Sequence, residues 1–244
     1  EKVLKAAKAK YVYGLSATPV RKDGHHPIIF MQCGPIRYLV DAKSQADKRT
    51  FSHFIIPRFT RTRAPAGSSI QELYAAIVKN ENRNASLVED TVQLVREGRS
   101  PILLTERKEH AAQLATLLQG KIQNVFLLVG RDRAALQAIP ASEEVVVVAT
   151  GKYIGEGFDA PRLDTLLLAM PISWRGTLAQ YAGRLHRNYE GKHEVRIYDY
   201  VDVHIPMLER MYHKRLKGYA ELGYQVRFGT SDEPVSMIYD GHDA

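Results

Sequence analysis

The sequence predicts an α/β protein, a parallel sheet with helices covering both of its faces. Two observations predict it. From about Gly98 onward, short β-rich runs alternate with helical patterns. The runs are also apolar at consecutive positions, as strands buried on both faces must be. "PILLT" (101–105) is the first such strand, and "ERKEHAAQLATLLQ" after it places Ala111, Leu114, Leu117 and Leu118 at helical spacing. "NVFLLV" (124–129) reads as a strand and "RAALQAI" as a short helix. "EEVVVVAT" (143–150) and "LDTLLLAM" (163–170) are further strands, "TLAQYAGRL" a helix, and "EVRIYDYV" (194–201) another strand. A long helix follows over 205–224. Its apolar stripe is Ile205, Leu208, Tyr212, Leu216 and Tyr219, and Arg210, Lys214 and Lys217 form a solvated basic side. Sheets of this kind bind ligands outside the carboxyl ends of their strands, where every candidate site below is expected.

The first 60 residues do not follow this repeat. "AKYVYGLSATP" reads as one strand ending in a proline-punctuated turn, and 20–63 as irregular chain rich in Arg, His and Pro. "RAPAGSS" is a linker before a helical segment over about 70–97. The expected division is 1–63 as the end of one domain, 64–100 as linker and helix, 101–230 as a second domain and 231–244 as a tail.

Composition narrows the function. Of 244 residues, 45% are hydrophobic and 25% charged, as in ordinary globular proteins. No apolar run reaches the ~20 residues of a membrane span, so no membrane partner is expected. Cys33 is the only cysteine, which excludes an internal disulfide framework and fits a reducing, cytoplasmic compartment. No metal-ligand spacing occurs, and His25 and His26 read as loop residues. The net charge of +7 is unevenly placed, because residues 1–63 hold 13 Lys/Arg against 4 Asp/Glu. A basic first quarter points to a polyanionic partner such as nucleic acid, or else to a solvated basic surface.

Two segments carry the chemistry. In "VVVVATGKYIGEGFDAP" (145–161), Thr150 ends a buried strand, Gly155 and Gly157 permit close approach of another group, and Asp159 can accept from a hydroxyl or orient an arginine. An ordinary strand–loop is the alternative. In "QYAGRLHR" (180–187), Arg184 and Arg187 stand three residues apart, on one side of a helix, where two planar guanidinium forks suit phosphate. Two surface arginines are the alternative. Trp174 could stack on a base or pack at the domain edge.

With "YGLSATP" (13–19) and "PILLTERKEH" (101–110), these segments stand in the order and spacing of the third to sixth motifs of superfamily 2 helicases. The chain therefore resembles the C-terminal, RecA-like half of such a motor. "GLSATPVRKDG" with "GPIRY" is similar to bacterial DNA helicases related to the transcription-repair helicase and to restriction-enzyme translocases. The resemblance implies a RecA-like sheet of the P-loop NTPase helicase type. It implies that Ser16 and Thr18 couple hydrolysis to motion, and that Thr105, Arg107, Thr150, Gly151 and Lys152 hold one nucleic-acid strand. It further implies that Gly155, Gly157 and Asp159 face ATP, and that Gln180, Arg184 and Arg187 form the catalytic sixth motif. Gln180-Tyr181 and His186 depart from the strict DEAD-box pattern, which favours DNA over RNA.

No phosphate-binding Gly-x-x-x-x-Gly-Lys-Ser/Thr loop and no Asp-Glu box are present, and "DEPV" (232–235) follows the sixth motif instead of preceding the third. ATP and Mg2+ are therefore expected on an N-terminal RecA-like domain of the same parent protein, and this chain alone is expected to be catalytically silent. The rival expectation is a nucleic-acid-binding or assembly module that kept the fold without the motor. A nuclease finds no carboxylate cluster followed by a lysine.

Overall fold

A computed structural model of the protein describes residues 9–16, 27–129, 140, 143–154, 159–172 and 175–228. Their elements, in chain order, are α1 (Pro27–Cys33), α2 (Ala42–Asp47), β1 (Ser52–Phe59), α3 (Ile70–Lys79), α4 (Glu81–Arg96), β2 (Pro101–Thr105), α5 (Lys108–Gln119), β3 (Val125–Leu128), β4 (Val146–Thr150), α6 (Gly151–Ile154), β5 (Thr165–Leu168), α7 (Arg175–Leu185), β6 (Glu194–Val201), α8 (Pro206–Glu221) and β7 (Gln225–Val226). The seven strands form one sheet in the order β3-β4-β2-β5-β6-β1-β7, and every pairing is parallel.

Alternation along each central strand sends side chains to two cores. Ile102, Leu104, Val147, Ala149, Leu166 and Leu168 face one core, closed by Leu178, Tyr181, Ala182 and Leu185 of α7 and Tyr219 of α8. Leu103, Val146, Val148 and Leu167 face the other, closed by Leu87, Val88, Leu94 and Val95 of α4 and Leu114 and Leu118 of α5. The expected α/β class is thus the observed one, with helices on both faces. A capping box starts α3, with the Ser69 hydroxyl accepting from Glu72 N–H and the Glu72 carboxylate accepting from Ser69 N–H. Gly223 ends the α8 turn at φ +81°, where a Cβ would also meet Ala46 at 2.6 Å.

Two expectations for the first 60 residues need correction. The stretch 20–63 is not irregular throughout: it holds α1, α2 and β1, and all eight residues of β1 pair with β6 inside the main sheet. Pro57 disguises this strand. It lies beyond Phe54 and Ile55, the residues of β1 that β7 covers, where the missing N–H leaves no ladder bond unmade. Conversely, no strand forms over residues 11–16; Tyr13 is 84% and Leu15 97% exposed. A strand needs a neighbouring strand to take its N–H and C=O groups, and no strand of the sheet pairs with this segment among the described residues. The helix expected around "RAALQAI" lies outside the described residues, as do His25, His26, Trp174 and "DEPV".

Helix α8 is fastened to the sheet by a buried ion pair. Arg215 donates from Nε and Nη2 to the two carboxylate oxygens of Asp199 at 2.7 and 2.9 Å, and from Nη1 to the Ile172 carbonyl at 2.9 Å. The Tyr219 hydroxyl donates to Asp199 at 2.9 Å. Burial disfavours the guanidinium's charge, but Asp199 outweighs it and raises the Arg215 pKa. Removing one partner alone leaves a buried charge uncompensated, so Asp199→Ala should cost about 3–5 kcal/mol in urea unfolding. The pair Asp199→Leu with Arg215→Met should recover most of that loss.

Candidate nucleotide and nucleic-acid site

The candidate residues fall into two groups at opposite ends of the strands. Thr105 and Thr150 close β2 and β4 at the carboxyl edge and are register partners across the ladder. Thr105 is buried, and its surroundings fix every proton. The Asn84 amide donates to the Val78 carbonyl at 2.9 Å, so its oxygen faces His110 Nε2 at 2.9 Å and accepts from it. His110 Nδ1 is then the acceptor for the Thr105 hydroxyl at 3.0 Å, and that hydroxyl accepts from Arg107 N–H at 3.3 Å. Such a chain needs a neutral imidazole protonated on Nε2. Burial, and then the nearby Arg83 charge, lower the His110 pKa to about 4.

The Arg107 guanidinium, half-buried, donates to the Gln71 side chain on α3. Gly151 follows Thr150 where the chain turns into α6. A Cβ there would stand 1.7 Å from the Tyr181 hydroxyl, which itself donates to Glu106 at 3.4 Å. Gly151 is therefore required for α7 to seat against the β2 and β4 ends. Burial first, and then the Glu106 carboxylate, raise the Tyr181 pKa. Lys152 lies in α6 but its side chain, like Gly155, Gly157 and Thr18, is outside the described residues. Ser16 is exposed and outside any regular element.

The second group corrects the expectation that every site lies at a carboxyl end. Helix α7 starts near the carboxyl end of β5 and runs back toward the amino end of β6, carrying exposed Gln180 and half-buried Arg184. It stops at Leu185, so Arg187 is past the helix and does not share a helical face with Arg184. Arg187 Nε instead meets Asp159 Oδ1 at 3.4 Å, both side chains being more than half exposed. Asp159 stands on the segment that leads into the amino end of β5. The loop after β4 and the sixth-motif segment thus meet twice, through Gly151 and Tyr181 at one end and Asp159 and Arg187 at the other.

Lys192 holds this second meeting together, and nothing in its sequence surroundings marked it. Its buried ammonium donates to the carbonyls of Pro161 (2.6 Å), Leu163 (2.9 Å), Leu185 (3.0 Å) and Arg187 (2.9 Å). The first two belong to the Asp159 segment; the last two are the carbonyl of the final residue of α7 and one just past it, a natural place for a cation. Burial lowers the Lys192 pKa to about 8. A convergent spherical charge suits four carbonyls better than a planar fork does.

These distances accompany a known architecture. The chain aligns with the crystal structure of T4 UvsW at a TM-score of 0.57 and 18% identity, over 73% of this chain and 41% of that one. It aligns with a fragment of a putative HsdR subunit of a type I restriction enzyme from Vibrio vulnificus YJ016 at a TM-score of 0.64 and 18% identity, over 91% and 45%. The chain shares the fold of these structures, a parallel sheet with helices on both faces. The chain spans less than half the length of either structure. No protein-family model matches. Over 84 residues, 34% of this chain, it is 37% identical to uncharacterized protein 108L of Invertebrate iridescent virus 3, covering 76% of that protein, and it belongs to one family with it. No described helix is long and apolar enough to cross a membrane.

The His110 chain gives a pH dependence of known sign. Its folded pKa lies below the unfolded value of 6.5, so the unfolded state binds more protons and stability falls as pH drops below that value. For His110 alone the loss between pH 7 and 5 should be about 2 kcal/mol. His53 and His186, lowered chiefly by burial to about 4 and about 2, add to it in the same direction. Urea midpoints across this range should show the slope, and His110→Gln should flatten it. Lys192→Met leaves its carbonyls unpaired and should cost at least about 2 kcal/mol, with hydrogen exchange quickening over residues 185–188. Lys192→Arg should not restore it.

Proposed function

We propose that this chain is the second RecA-like half of an ATP-dependent nucleic-acid helicase or translocase that acts on DNA, as the departure of its motifs from the strict DEAD-box pattern suggests. The observation that carries the reading is the joined pair of motif segments, which leaves Arg187 exposed and paired with Asp159. An exposed ion pair is worth about 0–1 kcal/mol, so Arg187 exchanges a carboxylate for a phosphate at little cost. Arg184 and Arg187 would meet the phosphates of ATP, supplying positive charge where charge develops in phosphoryl transfer. Lys192 keeps the backbone under both segments fixed, so the arginine is presented from one place on the surface.

The fit to ATP is partial. The guanidinium groups and Asp159 suit phosphates and a hydroxyl, whereas no group of three or more His, Cys, Asp or Glu able to hold a metal occurs among the described residues. Magnesium and the phosphate loop would come from an N-terminal RecA-like domain of the same parent. When bound there, ATP supplies the free energy of hydrolysis; this chain's part is to hold a strand through Thr105, Arg107, Thr150, Gly151 and Lys152, and to close on the nucleotide. The Thr105 hydroxyl is already committed to His110, so its part in that grip is to set the backbone of Arg107.

ATP hydrolysis by the 244-residue chain and by the full parent protein, with and without DNA, tests the reading. The chain alone should be silent, the parent stimulated by DNA, and Arg187→Ala in the parent slower by on the order of a thousand-fold. Hydrolysis by the chain alone would overturn the half-motor. Silence of both, with salt-sensitive DNA binding retained, would favour a binding or assembly module.

A further inference from the structure

Two arginines of the basic first quarter, Arg58 and Arg61, line a groove at the other end of the sheet's carboxyl edge. Where β1 ends, "RFTRTR" (58–63) carries Arg58, Arg61 and Arg63 without an acidic residue. Phe59, Thr60, Arg61 and Thr62 line a cavity of about 600 Å³ whose opposite wall is Asn80 and Asn82 at the start of α4. Phe59 is 57% exposed, unlike Phe54 on the same strand, which is buried. Its ring is set edge-on by Tyr212, at 6.4 Å between centroids and 83° between planes.

The groove's walls are rigid. Arg58 is held by Asp90 through bonds of 2.8 and 2.7 Å, Thr60 donates to Asp202 at 2.5 Å, and Asn80 donates to Thr62 at 3.1 Å. Arg61 and Asn82 remain solvent-exposed above them. A fixed aromatic face beside an exposed arginine and amide is what single-stranded nucleic acid uses: a base stacks on the ring, and the charged fork meets the backbone.

We propose that the Phe59–Arg61 groove is a second contact for single-stranded nucleic acid, with a base stacked on Phe59 and a phosphate at Arg61. The proposal rests on the nucleic-acid reading above. Between β2, which ends at Thr105 just before Arg107, and β1 lie β5 and β6. Three inter-strand spacings put the groove roughly 14 Å from those residues, on the same carboxyl edge. One strand can therefore cross both sites, which gives the domain a longer footprint than the motif residues alone provide.

Binding of a fluorescein-labelled oligodeoxythymidine to the 244-residue chain over a salt series tests this. Phe59→Ala should weaken binding by roughly ten-fold with an unchanged salt slope, and Phe59→Tyr should bind like the original chain. Arg61→Gln should weaken binding and lower the salt slope by about one. If Phe59→Ala and Arg61→Gln bind normally while Arg107→Ala binds weakly, the groove is off the path and the proposal fails, though the nucleic-acid reading stands. If the unaltered chain does not bind at all, both fail.

Discussion

A sheet covered on both faces cuts the carbonyls at its strand and helix ends off from water, and each must then find a donor inside the protein. In this chain buried cations do that work. Arg83 donates to the Ala169 carbonyl at 2.6 Å and pairs with Asp202 at 3.3 Å, tying the carboxyl ends of β5 and β6 to α4. Arg215 takes Ile172 and Asp199 on the same edge. At the amino edge, Arg99 bonds Thr165, Glu194 and the Asp164 carbonyl, and Lys192 gathers four carbonyls of its own. Each cation bridges segments far apart in sequence, so the same groups that satisfy the backbone also fix where the loops lie.

This solution has an electrostatic cost that explains the pattern of partners. Burial lowers the pKa of Arg83, Arg99 and Lys192. Arg83 and Arg215 sit deepest and have a carboxylate each; Lys192 relies mainly on carbonyl dipoles, with Asp164 the first charge to favour it. Dipoles stabilise a cation without cancelling its field. The Lys192 charge thus stays present beneath Arg187, and a positive floor under an exposed arginine favours an anion over a neutral ligand at that place.

The sheet was legible because its central strands are apolar at consecutive positions, a pattern that survives any register. β1 was not, since Pro57 and the flanking His and Arg residues hide a strand whose partner, β6, lies more than a hundred residues away. The motif residues were legible by type but not by place. "QYAGRLHR" invites a helix through Arg187, yet the helix stops at Leu185, where Lys192 takes its carbonyls. A lysine in "EGKHE" looks like any surface lysine; only the fold brings four carbonyls to it. His110 and Asn84 read as ordinary helix residues for the same reason, because the contact that gives them meaning spans 26 positions.

The two ends of the site place different demands on the chain. At the carboxyl edge, Thr105, His110 and Asn84 form a proton-ordered chain with each link satisfied, so the β2 end is rigid and can act as a fixed reference for whatever lies on it. At the amino edge, Arg187 and Asp159 share one exposed contact over a rigid backbone. A side chain that moves easily above a backbone that does not is suited to responding to a ligand without disturbing the fold. Helix α7 connects the two, with Tyr181, past its midpoint, seated against Gly151, and Lys192 capping its last carbonyl. A tilt of α7 would disturb both contacts, so a change at the Arg187 end reaches the carboxyl edge of the sheet as a movement of the whole helix.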